Sequence, residues 1–338
     1  MNNMTIALRW GIVTAGKISH DFCVALSTLP FDEHQIVAVA ARDKQRAEEF
    51  ARKHEIPNAF DSYSELAECK DIDIAYVGAL NPQHFEICMM MLKNGKHVLC
   101  EKPLCMNHKQ TKKLIQYAEM KKLFLMEAVW SRFFPAYQYL RKQINTGVLG
   151  EIKEVNASFC VDLKHVERLQ KKDLGGGTCL DLGIYTIQCA QWAFQEPPQQ
   201  IIAKGTLNSD GVDVEVIAEL CYSGNRKAIC HFSGERLLDN NAVIKGTKGE
   251  ITLLQFWSPT KIIDIDGKEK EWVLPKAKHS TNFPNSEGLR YEAEESRRCI
   301  LDGKLQSEHV SHNDSLLFAQ IEDEIRAQLG VTYKEDKE

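Results

Sequence analysis

The residues Val98-Leu99-Cys100-Glu101-Lys102-Pro103 form a short apolar run that ends in a carboxylate, a lysine and a proline. The run follows Gly95-Lys96-His97 and has no turn residue before Lys102, which predicts a buried β-strand. In an open parallel sheet, ligands bind outside the carboxyl ends of the strands, so Lys102 would point towards a bound molecule. A lysine that is merely solvated at the end of a strand would give the same pattern. The other motifs of the chain help to decide between a ligand-binding and a solvated Lys102.

A glycine-containing turn separates the first predicted strand from the first predicted helix. Residues 7–13 predict the strand, Thr14-Ala15-Gly16-Lys17-Ile18-Ser19 the turn, and residues 21–29 an amphipathic helix. Glycine here lets the backbone approach a pyrophosphate, to which a helix N-terminus offers free amides. The pattern Gly-x-Gly-x-x-Gly is imperfect, because Thr14, Gly16 and Ser19 occupy its three positions and Gly11 lies back on the strand. The candidate cofactor contacts in this region are Gly11, Thr14, Gly16, Lys17 and Ile18.

The second predicted strand, residues 35–41, is followed by Arg42-Asp43 and then a helix over residues 44–53. A carboxylate at the tip of this strand bonds the ribose hydroxyls of NAD, whereas an arginine suits the 2'-phosphate of NADP. Because Arg42 comes first, we predict NADP as the cofactor. Asp43 would reverse this preference if it turned inward.

Further strand and helix units complete the first half of the chain. Helices are predicted at residues 60–69, 84–94 and 111–121, and strands at residues 73–78, 97–102 and 123–126. Asn81-Pro82 marks a helix start, and His84 follows it close to the predicted cofactor. The alternation predicts an α/β fold in which residues 1–128 form a dinucleotide-binding domain with a Rossmann-type parallel sheet, covered on both faces.

Beyond Glu127 the pattern changes from alternating strands and helices to amphipathic strands. Antiparallel strands are predicted at residues 154–161, 212–222, 228–233, 242–244 and 250–256, an Asp266-Gly267 hairpin follows, and helices are predicted at residues 136–145 and 313–329. Residues 129–338 are therefore predicted to form a C-terminal α+β domain with an open, mainly antiparallel sheet.

A glycine loop interrupts this sheet and leads into a predicted helix. Gly175-Gly176-Gly177 precedes the helix, which continues to about residue 194. Asp181 and Tyr185 are four residues apart, so they share a helical face. Such a pair is either a hydrogen-bonded core pair or part of a site.

The composition disfavours several functional classes. A net charge of -5 with no long basic block argues against nucleic acid or an anionic membrane as a partner, and the lysine-rich residues 164–172 predict a solvated loop. The eleven cysteines lack Cys-x-x-Cys spacing, and no His-Glu-x-x-His or Gly-x-Ser-x-Gly occurs, so we predict reduced thiols, no metal and no hydrolase. No apolar run is long enough to span a bilayer, and Met1-Asn2-Asn3-Met4 is unlike a signal peptide, which together predict a cytoplasmic protein.

Three motifs in this order resemble the Gfo/Idh/MocA oxidoreductase family: the glycine-bearing first turn, Glu101-Lys102-Pro103, and the triple glycine followed by Asp181 and Tyr185. The resemblance runs from about residue 7 to residue 330. Within the family, residues 8–13, 37–43, 123–128 and 180–185 are most similar to the dimeric dihydrodiol dehydrogenases, also described as NADP-dependent D-xylose dehydrogenases. Tyr185, which stands where many members carry histidine, agrees with that subgroup. The resemblance implies cofactor contacts from Asn81, His84, Glu101 and Lys102. It also implies that residues 129–338 bind substrate and mediate dimerisation, with a homodimer joined through the C-terminal sheets.

The implied chemistry is oxidation of a secondary alcohol, in which a base accepts the hydroxyl proton while hydride leaves for the nicotinamide. Tyr185 is the candidate base. A phenol titrates at about pH 10, and a nearby cation such as Lys102 would lower that pKa and bond the reacting oxygen. Asp181 would orient the substrate or the lysine.

Aromatic residues supply the candidate substrate wall. Trp130, Phe159 and Phe283, with Phe133 and Phe134, could enclose an arene-derived diol or stack on a sugar face, and Arg132 could bond a hydroxyl. Packing at the domain junction would explain several of the same residues. The alternatives are another aldose or polyol dehydrogenase or reductase, and a non-catalytic NADP-binding sensor.

Overall fold

The computed structural model describes residues 7–337, so the Met1-Asn2-Asn3-Met4 segment lies outside the described residues. These residues form two compact units by their internal contacts. The first unit contains residues up to Leu104, Gln110–Trp130 and Leu274–His312, and the second contains Cys105–Lys109, Ser131–Val273 and residues from Asn313 onward. The sequence pattern alone groups Leu274–His312 with the second half of the chain, whereas its contacts place it in the first unit.

The first unit is built on a parallel sheet. Its strands are β1 (Leu8–Val13), β2 (His34–Ala40), β3 (Asn58–Phe60), β4 (Ile74–Val77), β5 (His97–Glu101) and β6 (Leu125–Ala128). They lie in the order β3-β2-β1-β4-β5-β6, and every neighbouring pair is parallel. β4 is buried throughout and β5 is buried beyond His97, as expected for strands covered on both faces. The predicted Rossmann-type sheet is confirmed.

The second unit is built on a mixed sheet. Its strands are β7 (Ile152–Cys160), β8 (Gln200–Leu207), β9 (Asp213–Tyr222), β10 (Arg226–Ser233), β11 (Ala242–Gly246), β12 (Gly249–Leu254), β13 (Lys261–Ile263) and β14 (Glu269–Glu271). Their order is β14-β13-β12-β11-β7-β10-β9-β8. β7 and β10 pair in parallel, so the expectation that both are antiparallel to their neighbours is wrong at this pair; the other pairs are antiparallel. The predicted open, mainly antiparallel sheet is confirmed.

The helices connect and cover these sheets. They are α1 (Lys17–Leu26), α2 (Lys44–His54), α3 (Tyr63–Glu68), α4 (His84–Lys93), α5 (His108–Lys121), α6 (Pro135–Asn145), α7 (Glu167–Gln170), α8 (Ile184–Phe194), α9 (Leu289–Leu301) and α10 (His312–Leu329). α8 is buried along its whole length and packs against β7 and β10, while α1 packs against α9. None of the helices among residues 7–337 has the length and hydropathy needed to cross a membrane.

Candidate active site

The turn after β1 is held open by hydrogen bonds within the first unit. Thr14 has a left-handed backbone with φ of 84°, and its hydroxyl donates to the Gly78 carbonyl at 2.8 Å and lies 3.0 Å from Ser19 Oγ. Gly16 caps α1 without a side chain, and a Cβ built there would meet no atom closer than 3.5 Å. No side chain caps the start of α1, so its first backbone amides are left for another acceptor, which fits a cofactor pyrophosphate.

The other candidates of this turn differ in their placement. Gly11 lies inside β1, where a Cβ would come 2.7 Å from Ile72 Cδ1, so close packing accounts for its lack of a side chain. Lys17 and Ile18 are the first two residues of α1, and Lys17 is exposed. Cofactor contact by these three residues stays a prediction.

The region after β2 concentrates positive charge. Asp43 caps α2, and its carboxylate accepts a hydrogen bond from the Arg46 amide at 2.8 Å. This capping bond disfavours the alternative in which Asp43 binds a ribose. Arg42 and Arg46 are exposed, and both positive charges lower the pKa of Tyr63, although burial raises it overall. The two guanidinium groups and the phenol could hold a 2'-phosphate. The sequence interpretation missed Arg46, whose signal was its position one turn beyond the Asp43 cap.

The β5 exit is anchored by a buried carboxylate. Glu101 accepts a hydrogen bond from the Tyr76 hydroxyl at 2.6 Å, and its second oxygen accepts one from the Lys102 amide at 3.3 Å. Burial raises the pKa of Tyr76, so the phenol keeps the proton that it donates. Burial, and then the charge of Glu101, also raise the pKa of Glu292 on α9. Glu101 thus fixes the backbone from which the half-buried Lys102 projects.

His84 joins the exits of two strands. Its Nδ1 lies 2.7 Å from the Pro103 carbonyl and its Nε2 lies 3.1 Å from the Ala79 carbonyl. Burial is the main cause that lowers the pKa of this fully buried imidazole. The structure gives His84 a role in holding the chain next to Lys102, while Asn81 lies in a 3-10 turn, Asn81–Gln83, after β4. Their contact with a cofactor stays a prediction.

The second unit presents Asp181 and Tyr185 on an irregular helix. Cys179–Gly183 is π-helical and continues into α8, instead of the single regular helix predicted; such wide turns are frequent at functional sites. Asp181 accepts hydrogen bonds from both terminal nitrogens of Arg168, at 3.1 and 3.4 Å. The predicted solvated loop at residues 164–172 contains the short helix α7, and its Arg168 side chain, although 39% exposed, pairs with Asp181.

Tyr185 lies among aromatic side chains of the second unit. Its ring meets Phe159 edge-on, with centroids 5.4 Å apart, and Phe159 stacks on Trp257 at 4.6 Å. The phenol is 8% exposed and Trp257 is half-buried. Phe159 and Trp257, the second of which the sequence analysis did not single out, are therefore aromatic neighbours of Tyr185, and the place of Phe159 in a substrate wall stays a prediction.

Arg132 is engaged inside the second unit. Its guanidinium bonds Gln188 at 3.2 Å, pairs with Asp314 at 3.0 Å and packs over the rings of Trp192 and Phe318. The side chain is 1% exposed. These contacts explain the residue structurally, and a bond from Arg132 to substrate stays a prediction.

Trp130 and Phe283 belong to the first unit. Trp130 is 5% exposed in the short turn after β6, whereas Phe283 is 41% exposed. The amides of Asn282 and Phe283 donate to the Asp21 carboxylate of α1, at 2.8 and 2.9 Å. Their place in a substrate wall stays a prediction. Within residues 7–337, no cluster of histidine, cysteine and carboxylate side chains has the arrangement of a metal site.

The similarity of this chain to known proteins extends over nearly its whole length. Residues 8–129 match a family described as "Oxidoreductase family, NAD-binding Rossmann fold", and residues 137–252 match the "GFO/IDH/MocA C-terminal domain". The trans-1,2-dihydrobenzene-1,2-diol dehydrogenase of Danio rerio is 47% identical over 335 residues, covering 98% of this chain and 100% of the relative. The Homo sapiens protein of the same name is 42% identical over 334 residues, with the same coverage.

Solved structures share the architecture. A 3-ketoreductase from Actinomadura kijaniata, in complex with NADP and TDP-benzene, has a TM-score of 0.79 at 25% identity, covering 95% of this chain and 98% of that chain. A levoglucosan dehydrogenase in complex with NADH and levoglucosan has a TM-score of 0.84 at 20% identity, covering 96% and 97%. The second likeness is one of fold alone.

Proposed function

Since the chain belongs to the GFO/IDH/MocA oxidoreductase family, we propose that it is an NADP-dependent dehydrogenase that oxidises trans-1,2-dihydrobenzene-1,2-diol and also D-xylose at C1. The observation that carries the diol is the full-length identity of 47% to a relative named for that activity. The sugar activity has weaker support: an aromatic wall can stack on a pyranose face as well as on an arene.

The bound cofactor supplies the acceptor for hydride. Tyr185 takes the proton of the reacting hydroxyl, because it is the ionisable group that the aromatic cluster of the second unit holds in place. Lys102 bonds the reacting oxygen and stabilises the negative charge that develops on it. Asp181, fixed by Arg168, orients the substrate.

The aromatic pair Phe159 and Trp257 favours a flat or weakly polar substrate face next to Tyr185. A diol on a six-membered carbon ring offers such a face and a secondary alcohol beside it. We assign the second hydroxyl of the substrate to Asp181, since a carboxylate is a strong acceptor for it.

The test of this function is the absorbance of reduced nicotinamide. Purified protein is mixed with NADP and, separately, with a trans-dihydrodiol, D-xylose and other aldoses or polyols. Turnover of the dihydrodiol supports the proposal. Turnover of an aldose or polyol alone assigns a different substrate, and NADP binding without turnover of any alcohol favours the sensor.

Arg42→Ala should weaken the binding of NADP and spare that of NAD. The guanidinium would bond the 2'-phosphate that NAD lacks, and a bond between charged groups contributes enough to raise the Kd for NADP about tenfold to a hundredfold. Titration of protein fluorescence with each cofactor measures both constants. Arg52→Ala, on the last turn of α2, is the control. Equal weakening for NAD and NADP would contradict the assignment of Arg42.

We propose that the protein is a homodimer joined through the open face of the second sheet. Along β9, buried residues alternate with accessible ones, and Ile217 is 49% exposed on the accessible side. The opposite side of this sheet packs against α8. Ile217 lies there between the partly exposed Glu215 and Glu219, and a second copy of the same face would bury it.

Ile217→Lys should therefore convert the dimer to a monomer, because two lysines would meet at the two-fold interface. Light scattering behind a sizing column measures the mass, with Leu301→Lys on α9 as the matched control. A wild-type protein that is monomeric at all concentrations would refute the dimer.

We also propose a cytoplasmic location. All eleven cysteines are free thiols, and a reducing compartment keeps thiols in that state.

A further inference from the structure

The residues after α10 are packed into the second unit. Gly330, with φ of 76°, ends the helix, and we call residues 331–337 the C-terminal tail. Val331, Tyr333 and Glu335 are 1%, 2% and 6% exposed, while the residues between them are exposed. Val331 and Tyr333 therefore insert into the unit from an extended segment, and Glu335 does so from the 3-10 turn Lys334–Lys337.

Tyr333 of the tail is seated on the glycine loop that leads to Asp181. Its hydroxyl donates a hydrogen bond to the Gly176 carbonyl. Gly177 has a φ of 112°, and a Cβ there would lie 3.0 Å from the Tyr333 oxygen and 2.6 Å from Asp213 Oδ1. The loop therefore packs between the Tyr333 phenol and the Asp213 carboxylate, which leave no room for a side chain at Gly177.

Asp213 continues this support into the helix. Its carboxylate accepts hydrogen bonds from Thr178 Oγ1 at 2.7 Å and from the Cys179 amide at 2.6 Å. These bonds satisfy donors at the start of the π-helical turn that contains Asp181. Burial raises the pKa of Tyr333, so its hydroxyl remains a donor to the loop.

An apolar cluster joins the tail to two further segments. Its members are fully or nearly fully buried: Met106, Leu180, Val212, Val331 and Tyr333. The same apolar cluster therefore contains Leu180, next to Asp181, and Met106, four residues after Lys102.

Polar contacts fix the same segments. Asn107 Nδ2 donates to the Glu335 carbonyl and to Asp336 Oδ1, each at 3.1 Å. Arg326 donates to the Met106 carbonyl at 3.2 Å and to Asp336 Oδ2 at 2.9 Å. The Asp336 side chain thus bonds both α10 and the segment after Lys102, so its removal would weaken the attachment of the tail to both.

We propose that the C-terminal tail is a positioning element for the reaction, with Tyr333 acting through Gly176 and Asp336 acting through Asn107 and Arg326. The inference rests on the proposed dehydrogenase function. Neither residue touches the reacting atoms. They hold the loop before Asp181 and Tyr185 and the chain after Lys102, and small errors in such positions slow a reaction strongly.

The test compares Tyr333→Phe with wild type and with Thr332→Ala, a change at an exposed neighbour in the tail. Phenylalanine keeps the ring in the apolar cluster and removes only the hydroxyl. We expect kcat per NADP-binding site to fall about tenfold or more, with KM and the Kd for NADP unchanged within about twofold. Hydrogen exchange followed by mass spectrometry should show faster exchange in residues 176–186.

Asp336→Asn provides a second variant if Tyr333→Phe does not fold, and its expected exchange change includes residues 105–109. Faster exchange without a loss of kcat would overturn the proposal, because the tail would then be structural support alone. An apparent loss of activity that disappears when the rate is divided by the number of NADP-binding sites would also overturn the proposal, because it would reflect a smaller folded fraction. A wild type that binds NADP and oxidises no alcohol would refute the proposed function, and the catalytic role of the tail with it.

Discussion

Replacement of Tyr185 by phenylalanine is expected to lower kcat by about 10²–10⁴-fold, the usual contribution of a general base. The variant retains the ring that packs edge-on against Phe159, so the aromatic cluster stays filled. It loses only the oxygen that we propose accepts the hydroxyl proton. The Kd for NADP is expected to stay within about twofold of wild type, because α1 and Arg42 belong to the other unit.

Steady-state kinetics with a dihydrodiol and NADP measure this effect, with Tyr117→Phe on α5 as the matched loss of a phenol outside the candidate site. A kcat equal to that of wild type would remove Tyr185 from the mechanism. Binding of NADP in a fluorescence titration shows that a slow variant is still folded.

Lys102→Met has the second largest expected effect, about 10²–10³-fold on kcat, because the transition state loses the cation beside the developing negative charge. Methionine keeps the length of the apolar stem. Without the cation, ionisation of the base costs more, so the pH at which kcat reaches half its maximum is expected to move upward.

The matched control is Lys112→Met, an exposed lysine on α5. The pH profile separates a catalytic role from a structural one, since partial unfolding lowers kcat at every pH alike. A profile that keeps its midpoint, with kcat near that of wild type, would contradict the role assigned to Lys102.

Much of the first unit is predictable because its signals are local. A buried apolar strand, a glycine turn and a capped helix each lie within about ten residues of sequence, and the parallel sheet follows from their alternation. β3 was missed because three residues are too few for a periodic pattern. α9 was missed because its buried face is acidic as well as apolar, with Glu292 and Glu295 both buried.

The parts of the site that escaped prediction depend on contacts between distant residues. Arg168 meets Asp181 from a segment whose composition indicates only a solvated loop. Trp257 reaches Phe159 from beyond β12, and the sequence contains no pattern that links the two positions. The parallel pairing of β7 with β10 likewise leaves both strands with the alternation of an antiparallel pair.

Sequence motifs identified the candidate residues, but they did not identify the hydrogen bonds that hold those residues in place. Glu101 was expected to contact the cofactor, and the structure shows its carboxylate bonded to Tyr76 and to the Lys102 amide. His84 similarly bonds two carbonyls of the chain. A motif therefore indicates that a residue belongs near a site without telling whether it acts on a ligand or on its neighbours.

The most direct test of the central claim follows the transferred hydrogen. A trans-dihydrodiol carrying deuterium at both carbinol carbons is oxidised in ordinary water with NADP. The reduced cofactor is then isolated, and its mass is measured by mass spectrometry. Direct hydride transfer predicts one deuterium in each molecule of reduced cofactor. Reduced cofactor without deuterium, or no reduction of NADP by the diol, would contradict it.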